Sequence, residues 1–533
     1  MIKNNKKTYI LLFLILIISI AFRFYKLSEV PLGMLPDAFS QAYNAFSILH
    51  TGKDLYGENF PILFRAFGSY QPPLYTYLTV IPIMLFGNTI FSARFVSAFS
   101  GVLGVVLTYL IISNLFRLKK DNRIGLLASL MLAISPWAIY FSHRPVEANL
   151  ALTVFLLGYF LLLKSLNNIR FFPFAAIVMG FSTHAYYSER IIGLLFFLFF
   201  ILWYRKILWR SKRLVLLGIV LFFIIQIPHL IILFSGAFSR RLDQVGYIKE
   251  GGNVIKTFLN QFLIYLSPKY LFSDAGESLG RLIPEMGPFF SWLFIPFLLG
   301  LKFLSTLRDK SLSVQLVFLG AISLIPASLT GDLFYPLRTL EFLWIVTIVI
   351  SLGIYYLVAR ANKTVLIILV FLTSYSLFTF FTSYFVLFKF ESAKYYTYQY
   401  IKLLDYLDKY RDRQIVIDTG RDTAEGLRIA YFWKIDPAII QKQMRSQLQT
   451  SYYSGVVNAN EEYRIGNVEV RPIIWGKDGC SPNSILVGDS LAISPEQVTI
   501  HNLSLEFEVQ DVDYNPALFG YSTNPPTDCK TRK

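Results

Sequence analysis

Apolar residues run along this chain in blocks of about 20, each long enough for a helix to cross roughly 30 Å of hydrocarbon. The approximate cores are 9–22, 94–116, 124–142, 147–164, 171–188, 190–204, 214–235, 288–306, 312–329, 341–360 and 364–387. A shorter apolar stretch, Pro73–Gly87, is too brief for a span and reads as a re-entrant or interfacial helix. Ahead of it, Leu35–Gly52 reads LPDAFSQAYNAFSILHTG. Phe39, Ala42, Tyr43, Phe46 and Leu49 fall on one helical face, and Ser40, Gln41, Asn44 and Ser47 lie elsewhere on the wheel. That pattern predicts an amphipathic helix lying in the interface, with Asp37 at its N-cap and Gly52 at its C-terminal stop. The apolar blocks end near Phe390. Beyond it, Gln414–Asp418 (QIVID) and Asn467–Pro472 (NVEVRP) read as strands between turn-rich stretches.

The basic residues give these blocks a direction. Lys3, Lys6 and Lys7 precede the first block. Further clusters recur at every second block end: Arg117, Lys119, Lys120 and Arg123; Lys164 and Arg170; Arg205, Lys206, Arg210, Lys212 and Arg213; Lys302, Arg308 and Lys310; Arg360 and Lys363. Together with the N-terminal segment they contain only the acids Asp121 and Asp309. The positive-inside rule then places the N-terminus in the cytoplasm. No small-x-small cleavage site follows Tyr9–Phe22, so this first block is expected to be retained as a span.

The expected fold class is an α-helical polytopic membrane protein of about eleven transmembrane helices, with a small C-terminal extracytoplasmic α/β domain. The expected division is 1–388, with long outer loops at 23–93 and 236–287, and 389–533. The expected location is the plasma (inner) membrane. Composition agrees: 54% of the 533 residues are hydrophobic and 16% charged, against roughly 25% charged in soluble domains. The net charge of +16 sits largely in the positive-inside clusters, which argues against a nucleic-acid partner. Both cysteines, Cys480 and Cys529, fall in the C-terminal part.

A lone carboxylate at the lip of a membrane is suited to chemistry between a lipid-borne donor and a water-side acceptor. Transfer of a group from a lipid phosphate to such an acceptor needs a proton acceptor and cations for the departing phosphate. Asp37 lies at the right depth to be the base. Arg65, Arg94, Arg144, Arg190, Arg281 and Arg338 are the outer-face arginines available for phosphate. Plainer roles compete with these. Asp37 could serve as a cap alone, each Arg could snorkel to headgroups, Glu147 could pair with Arg144, and His184 could be a buried neutral imidazole.

The order of motifs decides among function classes. Pro36-Asp37 follows the first span. Gly52 to Pro61, Pro72-Pro73-Leu74, Phe86-Gly87, Ala93-Arg94-Phe95-Val96-Ser97-Ala98 and Ser135-Pro136 to Glu147 come after it. This ordered set resembles the GT-C glycosyltransferases, specifically the protein O-mannosyltransferase and aminoarabinose transferase branch (glycosyltransferase family 39-like), over about residues 10–165. The sequence departs from that pattern at Ala38, where relatives carry a second acid, and at Gln71, where they often carry a cation or His. It departs again at His143-Arg144, in place of Ser-Arg, and Glu147 stands near the usual Asp.

The resemblance implies an inverting transferase with a polyprenyl-phosphate sugar donor and a protein, lipid or glycan acceptor. It implies Asp37 as the catalytic residue. The donor phosphate would be met by Arg94, Arg338, His184 and Arg281. Glu147, Arg144, Tyr70 and Gln71 would form the acceptor or sugar pocket. No cofactor is expected, and the scarcity of carboxylates weakens the case for a divalent metal. A transporter of lipid-linked sugar would show internal repeats and mid-span charge; the sequence shows no repeat, and its acids sit at span ends, Glu341 being the nearest to an exception. A scaffold would leave Asp37 without a role. The loop at 236–287, with its glycines and Pro284, is expected to cover the site, either as a moving lid or as an ordered cap.

Overall fold

The computed structural model describes residues 6–116, 122–249, 251–274, 276, 278–307, 310–420, 424–454 and 461–524. Lys3, Arg117, Lys119, Lys120, Asp121, Arg308, Asp309 and Cys529 lie outside the described residues.

The chain begins with α1 (Lys6–Phe24), α2 (Pro36–Thr51) and a hairpin of β1 (Phe64–Ala66) and β2 (Ser69–Gln71). Then come α3 (Pro73–Phe86), α4 (Ile90–Leu115), α5 (Arg123–Ile134), α6 (Pro136–Ser142) and α7 (Glu147–Ser165). A helix is found in each of the eleven blocks expected from the sequence. By length and composition, seven helices among the described residues could cross a membrane, or eight if the bent pair α5–α6 is one span. Of the remaining blocks, Phe171–Ser182 and Glu189–Trp203 are helices of 12 and 15 residues, and Ser291–Thr306 is a short apolar helix. Ile90–Leu115, Glu147–Ser165 and Pro336–Val358 are 72%, 72% and 78% buried inside the protein and form the centre of the bundle; Lys363–Glu391, at 11%, is peripheral.

The break between α5 and α6 has a local cause. Pro136 has no N–H and its ring cannot follow a helical turn, so the axis bends by 57° there. The bend frees carbonyls of the last turn of α5. Arg23, fully buried in α1, donates from Nη1 to Ala133 O and from Nη2 to Leu132 O, both at 3.0 Å. In an apolar bundle such carbonyls need a protein donor.

After the last long helix the chain forms a six-stranded sheet in the order β4-β5-β3-β6-β8-β7. Its strands are β3 (Gln414–Ile417), β4 (Tyr463–Ile465), β5 (Val468–Val470), β6 (Ser484–Gly488), β7 (Leu503–Gln510) and β8 (Pro516–Thr523). β3 pairs in parallel with β5 and β6, and the other pairings are antiparallel. The two strand segments read from the sequence are β3 and β5.

This sheet and its helices share one hydrophobic core with α2. Phe39, Tyr43 and Phe46 pack with Ile415, Ile417, Leu427, Tyr431, Ile440 and Met444. The expectation of an interfacial α2 is therefore corrected: residues Ala38 to Ile48 are all buried, the polar ones included. That polar face is satisfied internally. Asn44 Oδ1 accepts from Leu55 N at 2.8 Å, Ser47 donates to Lys53 O at 2.7 Å, and Gln441 donates to Ser47 and Thr51. Asp54 accepts from Tyr452, and Glu461 accepts from both Tyr56 and Tyr463. Burial raises the Asp54 pKa to about 6, although the bond from Tyr452 opposes the shift.

Replacing Arg23 with Leu should orphan the carbonyls of Leu132 and Ala133 and destabilise the protein by about 2–4 kcal/mol. The expected readout is a lower melting temperature in detergent. An unchanged melting temperature would show that the helix break has another source of support.

Candidate active site

Asp37 lies in the first turn of α2. The N-cap is Leu35, which makes no side-chain cap, and Pro36 occupies the first turn with its fixed φ. This corrects the capping expectation, since the Asp37 carboxylate caps nothing. Gly52 does end the helix in the left-handed conformation, with φ 68°.

What places Asp37 is the segment before it. Arg94, in the first turns of α4, donates to Leu27 O, Pro31 O and Gly33 O at 2.7, 2.9 and 2.5 Å. Gly33 has φ +82°, and a Cβ there would meet Tyr396 O at 2.2 Å. Thr397 Oγ1 donates to Met34 O at 3.1 Å. On the other side, Gln71 ends β2, and its Nε2 donates to Asp37 O at 3.1 Å.

Asp37 is accessible to solvent, yet protein surrounds its carboxyl closely enough for burial to raise its pKa above the ordinary carboxylate range. The Arg241 guanidinium and the Gln71 amide oppose the shift. Glu147, in the first turn of α7, is half-buried and lies within electrostatic reach of Asp37 and of Arg241. Its Oε1 accepts from Gln41 Nε2 at 2.5 Å. The arrangement therefore holds two carboxylates, two glutamine amides and one exposed guanidinium. Tyr186 and Tyr187 stand within reach of Glu147 and Arg241, and Tyr395 within reach of Asp37.

Most of the other expected site residues are committed elsewhere. Arg94 is 1% exposed, and its two terminal nitrogens are taken by the three carbonyls, so it holds backbone and is corrected as a phosphate ligand. Arg144 donates to Tyr140 Oη and Gly280 O, and not to Glu147. The alternative Arg144–Glu147 pair is therefore absent among the described residues. His184 contacts Ile225 O at 2.8 Å and stacks on His229, with ring centroids 4.0 Å apart; it is a buried imidazole and not a phosphate contact. Tyr70 is 2% exposed and donates to Tyr452 O, which takes it out of the pocket. Arg65 is buried against Tyr56 and Tyr452, and Arg190 donates to Phe238 O. Arg338 reaches Asp332 at 2.6 Å and Thr330 at 2.5 Å, and lies within reach of Tyr186. Arg281 is half-buried and makes no side-chain hydrogen bond or ion pair among the described residues.

Sequence reasoning missed Arg241 and Gln41. Arg241 lies in the loop expected to cover the site, in the helix Arg240–Val245. Its neighbour Arg240 and then Gln244 donate to Gly68 O at 3.1 and 2.8 Å, tying this helix to the β1–β2 turn. That tie leaves the Arg241 side chain exposed. The one available signal was the Arg-Arg doublet. Gln41 was legible as the residue one helical turn after Asp37. No group of three or more His, Cys, Asp or Glu that could hold a metal is found among the described residues.

This architecture has solved counterparts. ArnT from Cupriavidus metallidurans bound to undecaprenyl phosphate superposes with a TM-score of 0.60 at 14% identity, over 95% of this chain and 97% of that one. Its apo state gives 0.58 at 13% identity with the same coverage. The oligosaccharyltransferase of Archaeoglobus fulgidus aligns at only 0.49 and 13% identity, over 98% of this chain and 75% of that one, too weakly to support an inference. Residues 70–232 match the family model Dolichyl-phosphate-mannose-protein mannosyltransferase. No curated protein sequence matches the chain. The likeness to ArnT is one of fold, shared by a chain with helices long and apolar enough to cross a membrane several times, and the family match covers under a third of the chain.

Two arginines should separate by phenotype. Arg94→Ala should lower the melting temperature. Arg241→Ala should leave it near wild type while slowing turnover. Because Arg241 opposes the rise of the Asp37 pKa, its removal should move the acid limb of the pH–rate profile to higher pH. A profile unmoved by Arg241→Ala would take that residue out of the site.

Proposed function

We propose that this protein transfers a hexosyl or pentosyl group from a polyprenyl-phosphate donor to an acceptor on the extracytoplasmic side of the plasma membrane, by a single inverting displacement. The observation that carries the reading is Asp37: a solvent-accessible carboxylate, free of any capping role, held by its backbone, with an exposed guanidinium beside it. Undecaprenyl phosphate is the ligand named for one ArnT structure of the same fold, and dolichyl-phosphate-mannose is named in the matched family model. Both support a lipid-phosphate donor here.

On this reading the acceptor attacks the anomeric carbon as the bond to the carrier phosphate breaks. Asp37 receives the acceptor's proton. Its raised pKa brings it closer to working pH, where a base is most effective. Arg241 meets the developing phosphate charge, with Arg281 and Arg338 as further candidates. Glu147 positions Gln41 and adds to the negative field around the acceptor. We assign residues 1–388 to the membrane part and 389–533 to an extracytoplasmic part, with a cytoplasmic N-terminus.

Asp37→Asn preserves the shape of the side chain and removes the base. Transfer from a labelled polyprenyl-phosphate sugar should fall roughly a hundredfold or more, with the melting temperature near wild type. Near-normal transfer by the Asn variant would remove Asp37 from the chemistry. A reporter active only in the cytoplasm, fused after Lys533, should be silent; a strong signal would reverse the assigned orientation.

A further inference from the structure

Two oxygens beside Asp37 have no partner. Gln41 and Gln71 are 2% and 6% exposed, and the Oε1 of each is buried and unbonded. The nitrogen of each amide is already engaged at the acids: Gln41 Nε2 with Glu147 Oε1, and Gln71 Nε2 with Asp37 O. Neither amide can turn over to relieve its oxygen, because turning would press that oxygen against a carboxylate or a carbonyl. The surroundings of the Asp37 carboxylate therefore hold four acceptors, the carboxylates of Asp37 and Glu147 and two amide oxygens, with the Arg241 guanidinium as the exposed cation. Leaving buried acceptors unpaired is unfavourable unless a ligand supplies donors.

An ionised phosphate supplies none and would face two carboxylates. A hydroxyl flanked by further O–H or N–H groups supplies them. Resting on the transferase reading, we infer that Gln41 and Gln71 are specificity-determining residues that select a hydroxyl acceptor over a phosphate acceptor. The attacking O–H gives its proton to Asp37 as its oxygen bonds to the anomeric carbon. The carbon–oxygen bond to the carrier phosphate breaks, and its electron pair leaves with that phosphate. Neighbouring donors of the acceptor bond to the two amide oxygens. Arg241, the exposed cation at the site, is kept for the leaving group.

The test has two parts. Membranes containing the full-length protein receive a labelled polyprenyl-phosphate hexose, and the linkage in the product is examined. A glycosyl phosphate breaks in mild acid, whereas a glycoside to a hydroxyl survives. An acid-stable product is expected, and an acid-labile one overturns the inference while leaving the transferase reading intact. No transfer at all overturns both. The second part uses Gln41→Met and Gln71→Met, which keep length and lose the amide. Each should raise the KM for the acceptor roughly three- to tenfold, a larger effect than it has on hydrolysis of the donor by water. Glu147→Gln serves as a control for the bond lost with Gln41. An equal fall in transfer and hydrolysis would mean that the glutamines read the donor's own sugar, and would overturn the assignment to the acceptor. Unchanged acceptor KM in both Met variants would overturn it as well.

Discussion

The position of Asp37 depends on one guanidinium. Between α1 and α2 the chain is not helical, and its carbonyls have no helical partners. Three of them point at Arg94, whose planar fork can serve several acceptors at once. A lysine would offer a point charge without that geometry. Fixing Leu27, Pro31 and Gly33 fixes the start of α2 within a few residues, and so fixes the acid. An arginine that matches the family pattern at the entry to the second span thus contributes to the site by holding its floor.

The same device recurs wherever the bundle breaks its helices. Arg23 serves the carbonyls exposed at Ser135-Pro136, Arg144 serves Gly280 O, and His143 lies between the carbonyls of Phe22 and Val30. Irregular backbone inside an apolar bundle is tolerated only when protein donors replace water. The buried cations of this protein are therefore mostly backbone ligands, while Arg241 is exposed and Arg281 half-buried. Position relative to a span end cannot separate the two sets. Carbonyl geometry can.

That is also where the sequence ceases to be legible. Periodicity located the helices, the β3 and β5 strands and the Gly52 stop, because each depends on local spacing. It assigned α2 to an interface because the helix is amphipathic. The face that carries Ser40, Gln41, Asn44 and Ser47 is instead buried against loop and C-terminal residues that bond to it. Those partners lie as far away as Gln441, and no local pattern announces them. Asp37 was legible from its depth and its place in an ordered set of motifs. Arg94 and Arg144 were legible as arginines but not in their roles. Arg241 was hidden in a loop whose fold depends on a bond to Gly68 O.

The burial of α2 has a consequence for how the site is built. Its apolar face belongs to the same core as the sheet, and its polar face bonds to the first loop and to Gln441. Asp54, Tyr452, Tyr56 and Glu461 join that loop to the C-terminal region through buried hydrogen bonds. The acid is thus clamped from two directions, by Arg94 on the side of the bundle and by the C-terminal region on the other. A carboxylate clamped in this way keeps a fixed place relative to its neighbours. Its protonation is set by its surroundings: burial on one side of the balance, Arg241 and Gln71 on the other. Two acids face Arg241 there, and two like charges close together favour a ligand that brings a proton to one of them.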